Sequence, residues 1–198
     1  RPREDQPELT RRLKRLGAEC VNLPTIEIRP QAFTEGERRR LLRRLPRVDW
    51  VLFNSRHGVE ALDRLVRQAG PPESRRRAGA GQKLSDLLEG RICAIGPRTK
   101  SALKTAGLKA DLVPEEFSTE GIRRAFQAIP VRGKRILIPR SQRAIGDKLA
   151  SALRQRGARV IITGRNPETL QQTAREISCG EHPVRPVVCD VAASQAIA

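Results

Sequence analysis

Short runs of consecutive apolar residues alternate along this chain with longer segments whose apolar positions recur every three or four residues. The runs VDWVLFN (48–54), RICAI (91–95), KADLV (109–113), KRILI (134–138) and RVIIT (159–163) are rich in Val, Ile and Leu and closed by polar, Pro or Gly residues. They predict five strands. Between and beside them, Val59/Leu62/Val66, Leu103/Ala106, Ile122/Phe126/Ile129 and Ile145/Leu149/Leu153 fall at helical spacing. Strand and helix in alternation imply an α/β fold, a doubly wound parallel five-stranded sheet with helices covering it.

The expected helix starts agree with this reading. Thr34 and Glu37 form a T-x-x-E capping box ahead of Leu41, Leu42 and Leu45, and Ser55 directly follows the first strand. Gly96-Pro97 and Asn166-Pro167 each place Pro at a first helical position. Only GPPESRRRAGAG (70–81) reads as a long irregular surface loop. An internal echo sets Leu9, Leu13, Gly17 and Ala18 against Leu149, Leu153, Gly157 and Ala158, as two similar α/β halves would. The opening segment offers one helix and one strand, which cannot bury an apolar face alone, so its partners must come from residues after 163.

Composition narrows the class. The chain has 198 residues, a formal net charge of +17 and 3% aromatic residues. Such a positive balance attracts anions, but the RRR runs at 38–40 and 75–77 read as solvated surface, and stacking platforms for single strands are lacking. Nucleic acid is therefore not the expected partner. Apolar stretches fall far short of the roughly 20 residues of a membrane span, and no leader pattern opens the chain, so a cytoplasmic protein is expected. Cys20, Cys93, Cys179 and Cys189 show no metal-ligand spacing and read as buried thiols, with no metal expected.

In a parallel sheet all strands finish on one edge, where ligands bind. That edge would collect Phe53-Asn54-Ser55-Arg56, Gly96-Pro97-Arg98-Thr99, Phe117-Ser118-Thr119 and Pro139-Arg140-Ser141, each beside a helix N-terminus suited to anions. For any one of Ser55, Ser118 or Thr119, simple helix capping accounts for the residue; their convergence is what suggests a site.

The segments RPREDQPELTRRLKRLGAECVNLPTIEIRP, DWVLFNSRHGVEAL, ICAIGPRTKSALKTAGLKADLVPEEFSTEGI and GKRILIPRS resemble, in order and spacing, the uroporphyrinogen-III synthase family over about residues 1–160. The resemblance implies two α/β lobes with a cleft between them. Residues 34–163 would be the second lobe, inserted in a first lobe of residues 1–33 and 164–198 that is incomplete and lacks its initial strand. It also implies a lyase-type cyclisation of hydroxymethylbilane, a linear tetrapyrrole polycarboxylate, to uroporphyrinogen III with inversion of ring D, in tetrapyrrole and heme biosynthesis. No cofactor is implied, and a monomer is expected. Carried over by position, Arg1, Ser55, Gly96, Thr99, Ser118, Thr119 and Arg140 would contact substrate. No catalytic residue is assigned: His57 reads as a solvent-exposed helix residue and His182 has no evident partner.

The tail departs from that pattern. The family's tyrosine, often proposed to assist hydroxyl loss, has no equivalent, because the chain contains no Tyr. Instead GARVIITGRNPETLQQTAREI and VRPVVCDV resemble a short-chain dehydrogenase/reductase segment over about residues 146–191. That resemblance offers an alternative, an NADP-binding hybrid, with Arg165 and Asn166 by the ribose phosphate and Asp190-Val191 by the adenine. The glycine-rich turn it requires is missing at PRSQRAIG (139–146), where only Gly146 stands, so close approach of a pyrophosphate is not expected. With an incomplete first lobe, weak or no turnover is expected; a further alternative is a non-catalytic remnant that binds tetrapyrroles or other anions.

Overall fold

A computed structural model describes residues 6–21, 26–29, 34–67, 83–139, 147–164, 166–178, 184–188 and 193–196. The chain runs α1 (Gln6–Arg15), β1 (Ile26–Arg29), α2 (Glu35–Leu42), β2 (Trp50–Phe53), α3 (Arg56–Arg67), β3 (Arg91–Ala94), α4 (Pro97–Thr105), α5 (Thr119–Ala125), β4 (Arg135–Ile138), α6 (Asp147–Gln155), β5 (Arg159–Gly164), α7 (Pro167–Ile177), β6 (Arg185–Val188) and β7 (Ala193–Ala196). Five strands form one parallel sheet in the order β3-β2-β4-β5-β6, and β1 pairs antiparallel with β7 in a separate two-stranded ladder.

The strands read as continuous apolar runs because both faces of the sheet are covered. Along β2, Val51 and Phe53 point into a core with Leu62 and Leu65 of α3 and Leu103 of α4, while Trp50 and Leu52 enter an opposite core with Phe126, Leu149 and Leu153. Trp50 and Phe126 meet edge to face at 4.9 Å between ring centres. The doubly wound parallel sheet is as expected from the alternation.

One strand differs. Residues 109–113 make only a single bridge, Leu112 to Cys93, and the fifth strand is β6. The cause lies in Asp111, whose carboxylate accepts the Ile92 N–H at 2.7 Å that a further strand would have taken, and in Pro114, which has no N–H to extend a ladder. α7 and β6, expected to return to the first lobe, instead continue the main sheet, with Ile162 opposite Pro186 and Thr163 opposite Val187.

Helix ends follow the sequence signals. Asn166 accepts hydrogen bonds from the N–H groups of Glu168 and Thr169 at 2.8 and 3.1 Å, with Pro167 opening α7. The C-terminal end of α5 is closed from outside by Arg156, whose guanidinium donates to the carbonyls of Phe126 (2.6 Å), Gln127 (3.1 Å) and Ile129 (3.0 Å). At the starting edge of the sheet, Asp49 ties β2 to β4: its Oδ2 accepts the Arg135 N–H at 2.8 Å and its Oδ1 lies 3.5 Å from Lys134 Nζ. Partial burial opposes ionisation of this carboxyl, but the Arg135 N–H and the charges of Lys134 and Arg135 outweigh it and hold its pKa below the usual range.

Of the thiols, Cys93 is buried in the core that holds Trp50 and Leu52 and Cys20 is half-buried, while Cys179 and Cys189 lie outside the described residues. Burial pushes the Cys93 pKa up to about 12. Loop 70–81 also lies outside the described residues. Among them no helix is long and apolar enough to cross a membrane.

Three outcomes are expected. Arg156→Ala, which strips three carbonyls of their donor, lowers stability in urea by about 1–3 kcal/mol, with Arg156→Lys intermediate. Because folding depresses the Asp49 pKa, its contribution is complete above the ordinary value of 3.8 and disappears as pH falls through the depressed one. The gap in urea midpoint between the native chain and Asp49→Asn should therefore close on acidification. Mass spectrometry after iodoacetamide treatment should find Cys93 unmodified in the folded protein and modified in urea.

Candidate functional site

The chain order of the sheet locates a crevice. From β2 the chain moves outward to β3, then returns past β2 to place β4 on its other side, so the finishing ends of β2 and β4 flank a topological switch point. Ligands of open parallel sheets bind at such points, because the departing loops separate there. Ser55 stands just beyond β2, and Pro139 just beyond β4. The two loops come close: a Cβ placed on Gly58 would lie 3.7 Å from Ser55 Oγ and 3.8 Å from the Pro139 carbonyl oxygen.

Ser55 is half-buried and its Oγ accepts the Gly58 N–H at 3.2 Å, capping the twelve-residue α3. Among the described residues the hydroxyl hydrogen meets no acceptor. On the other flank, the Ile95 N–H donates to the Phe53 carbonyl at 3.0 Å, fixing the β3 end beside the β2 end. Gly96 follows and caps α4, with Pro97 at the first helical position.

The sequence brings a third segment to the same rim. After the Leu112 bridge the chain runs along β3 and turns at residues 116–118 into α5. Phe117, 60% exposed, lies directly over Gly96: a Cβ at that glycine would come within 3.2 Å of the ring. Ser118 has both of its capabilities engaged, accepting the Gly121 N–H at 2.9 Å and donating to Glu116 Oε1 at 2.7 Å. The turn folds so tightly that a Cβ on Gly121 would fall 1.9 Å from the Glu116 carbonyl oxygen, which only glycine permits.

Ser55, Gly96, Ser118 and Thr119 thus share one edge of the sheet. They are not equally open: Gly96 is covered by Phe117, Thr99 is only 3% exposed within α4, and Thr119 is half-buried at the start of α5. Arg1 and Arg140 lie outside the described residues, as does His182. His57 pairs along its own helix, with Nδ1 3.3 Å from Glu60 Oε2. Phe117 was placed at this edge by the sequence but not counted as a contact; an exposed aromatic immediately before a helix cap was the available signal.

A rim with a serine hydroxyl, two helix N-termini of eight residues or more and an exposed aromatic ring can hold a ligand combining anionic groups with flat apolar ones. The family model for uroporphyrinogen-III synthase HemD matches residues 7–162. The chain belongs to the uroporphyrinogen-III synthase family. It is 31% identical over 162 residues to a protein of Methanothermobacter thermautotrophicus assigned as a uroporphyrinogen-III synthase, covering 82% of this chain and 58% of that protein. It is 29% identical over 153 residues to uroporphyrinogen-III synthase of Synechococcus elongatus, covering 75% of this chain and 51% of the relative. The chain therefore spans just over half the length of these relatives. In fold it resembles a mutant uroporphyrinogen III synthase of Thermus thermophilus, with a TM-score of 0.50 at 16% identity over 87% of this chain and 73% of that one.

These comparisons do not support the short-chain dehydrogenase/reductase resemblance of residues 146–191. The uroporphyrinogen-III synthase match itself runs on through residue 162, and β5 sits between β4 and β6 of the same sheet.

The rim turn gives a direct test. Ser118→Ala should cost about 1 kcal/mol in urea unfolding, with Ser118→Thr, which keeps both the acceptor and the donor, restoring most of it. Gly121→Ala should cost more than Ser118→Ala, because backbone must move to admit the methyl group.

Proposed function

We propose that this chain binds hydroxymethylbilane at the rim formed by the ends of β2, β3 and β4 and takes part in its cyclisation to uroporphyrinogen III. The observation that carries the reading is the convergence of Ser55, Gly96 and the Phe117–Thr119 turn on the edge where a parallel sheet binds ligands, in a member of this family.

The chemistry asked of the residues is chiefly orientation. Once the terminal hydroxyl of the linear tetrapyrrole has left, closure without inversion of ring D competes with closure through a spiro intermediate, and a site that fixes the chain's conformation selects between them. Substrate carboxylates would meet the N–H groups that open α3 and α4 and the Ser55 hydroxyl, while pyrrole faces would lie against Phe117. Arg1 and Arg140 are proposed as charged contacts from the neighbouring segments, with Thr99, Ser118 and Thr119 shaping the wall behind. Ser118 acts mainly through its turn, since both its donor and its acceptor are already engaged.

In the same proposal β1 and β7 belong to the family's other lobe, and the protein works as a cytoplasmic monomer without a cofactor. A non-catalytic tetrapyrrole binder remains the second reading, supported by the same rim; it predicts affinity without turnover.

Purified protein supplied with enzymatically generated hydroxymethylbilane should yield the type III isomer in excess over spontaneous type I product, separated by chromatography. Ser55→Ala should lower that excess about tenfold, as loss of one hydrogen bond to a charged group would. Type I product alone, together with retained binding of uroporphyrin by calorimetry, would favour the non-catalytic reading.

A further inference from the structure

The opposite edge of the sheet, where the parallel strands begin, carries a groove of about 550 Å³ far from the Ser55 rim. Four cations line it, Arg47, Arg91, Lys134 and Arg135, against two carboxylates, Asp49 and Glu89. We infer that this groove is a second anion site, which takes a compact polyanion bearing phosphate or carboxylate oxygens.

Three features distinguish it from scattered surface charge. First, Asp49 is already engaged: it accepts the Arg135 N–H at 2.8 Å and lies 3.5 Å from both Lys134 Nζ and Arg135 Nε. It therefore fixes two of the cations at the groove while neutralising little of the remaining charge. Second, the Arg91 guanidinium lies over the Trp50 ring at 5.8 Å from its centre, which holds it by a cation–π contact at the groove wall without consuming its hydrogen-bond donors. Third, Arg47 and Arg91 have no carboxylate partner in the described structure, and Glu89 forms no ion pair with them there.

Pro46, Ile129 and Pro130 add apolar lining beside these groups. Arg91, held against the Trp50 ring, meets a multidentate oxyanion with less loss of side-chain freedom than an unsupported arginine, and Arg47, Lys134 and Arg135 add charge beside it. The geometry also asks for a short ligand, since the cations come from the starts of β3 and β4, on either side of β2, and from the turn at residues 45–47. This inference is independent of the reading of the rim.

Calorimetry of the intact chain at physiological salt tests it with two probes, tripolyphosphate and citrate. Binding of one molecule per chain is expected for at least one probe; tripolyphosphate alone identifies a phosphate ligand, and citrate alone a polycarboxylate. Arg47→Gln with Arg91→Gln should weaken that binding about tenfold or more, whereas Lys100→Gln with Lys104→Gln, which removes equal charge from exposed α4, should change it little. Circular dichroism checks that both variants stay folded, and single Arg47→Gln serves if the double variant does not. Absence of binding by both probes, or equal loss in the α4 control, overturns the site.

Discussion

The structure depends on one constraint, that successive side chains of each parallel strand must enter two different cores. Along β2 and β4 every residue but the first of β4 is buried, so neither strand can shift its register by one position without exchanging its two faces. Leu137 and Val51 belong to one core, Ile136, Ile138 and Leu52 to the other. Everything at the edges inherits this precision. Because β2, β3 and β4 are held in register, the loops that leave them arrive together, and their starting ends are equally aligned.

The two edges have been put to different use by the residues that happen to close each strand. At the finishing edge the chain ends its strands in small residues that open the following helices, Ser55, Gly96 and Asn166. At the starting edge it begins β3, β4, β5 and β6 with arginine. An arginine at that position keeps its charge in water while its stem covers the end of the core. The high net charge thus has a structural distribution, although it looked like undirected surface from composition alone.

Much of this was legible in the sequence. Pro97 and Pro167 at first helical positions, with Gly96 and Asn166 before them, announced two helix starts that the structure reproduces. The sheet was read correctly in kind and in number of strands but not in membership. Residues 109–113 have the composition of a strand, yet Asp111 spends its side chain on the neighbouring backbone. Arg185–Val188 hides its strand behind Pro186, a residue tolerated there because β6 is an edge and one side of it needs no N–H. At the rim, single-residue signals could place Ser55 and Ser118 beside helices, but could not tell an open hydroxyl from one already engaged. That distinction needed Glu116 and Gly121, which meet Ser118 only through the tightness of the turn.

The grip of Arg156 on the carbonyls that follow α5 has a mechanical side. A seven-residue helix has almost no stability of its own. Here its front is cinched by Ser118 and its back is clamped from the α6–β5 turn, so the short rod behaves as a strut between the two. Phe117 rides on the front of that strut. The same short helix thus links the Arg156 clamp at one end to the turn that sets Phe117 over Gly96 at the other.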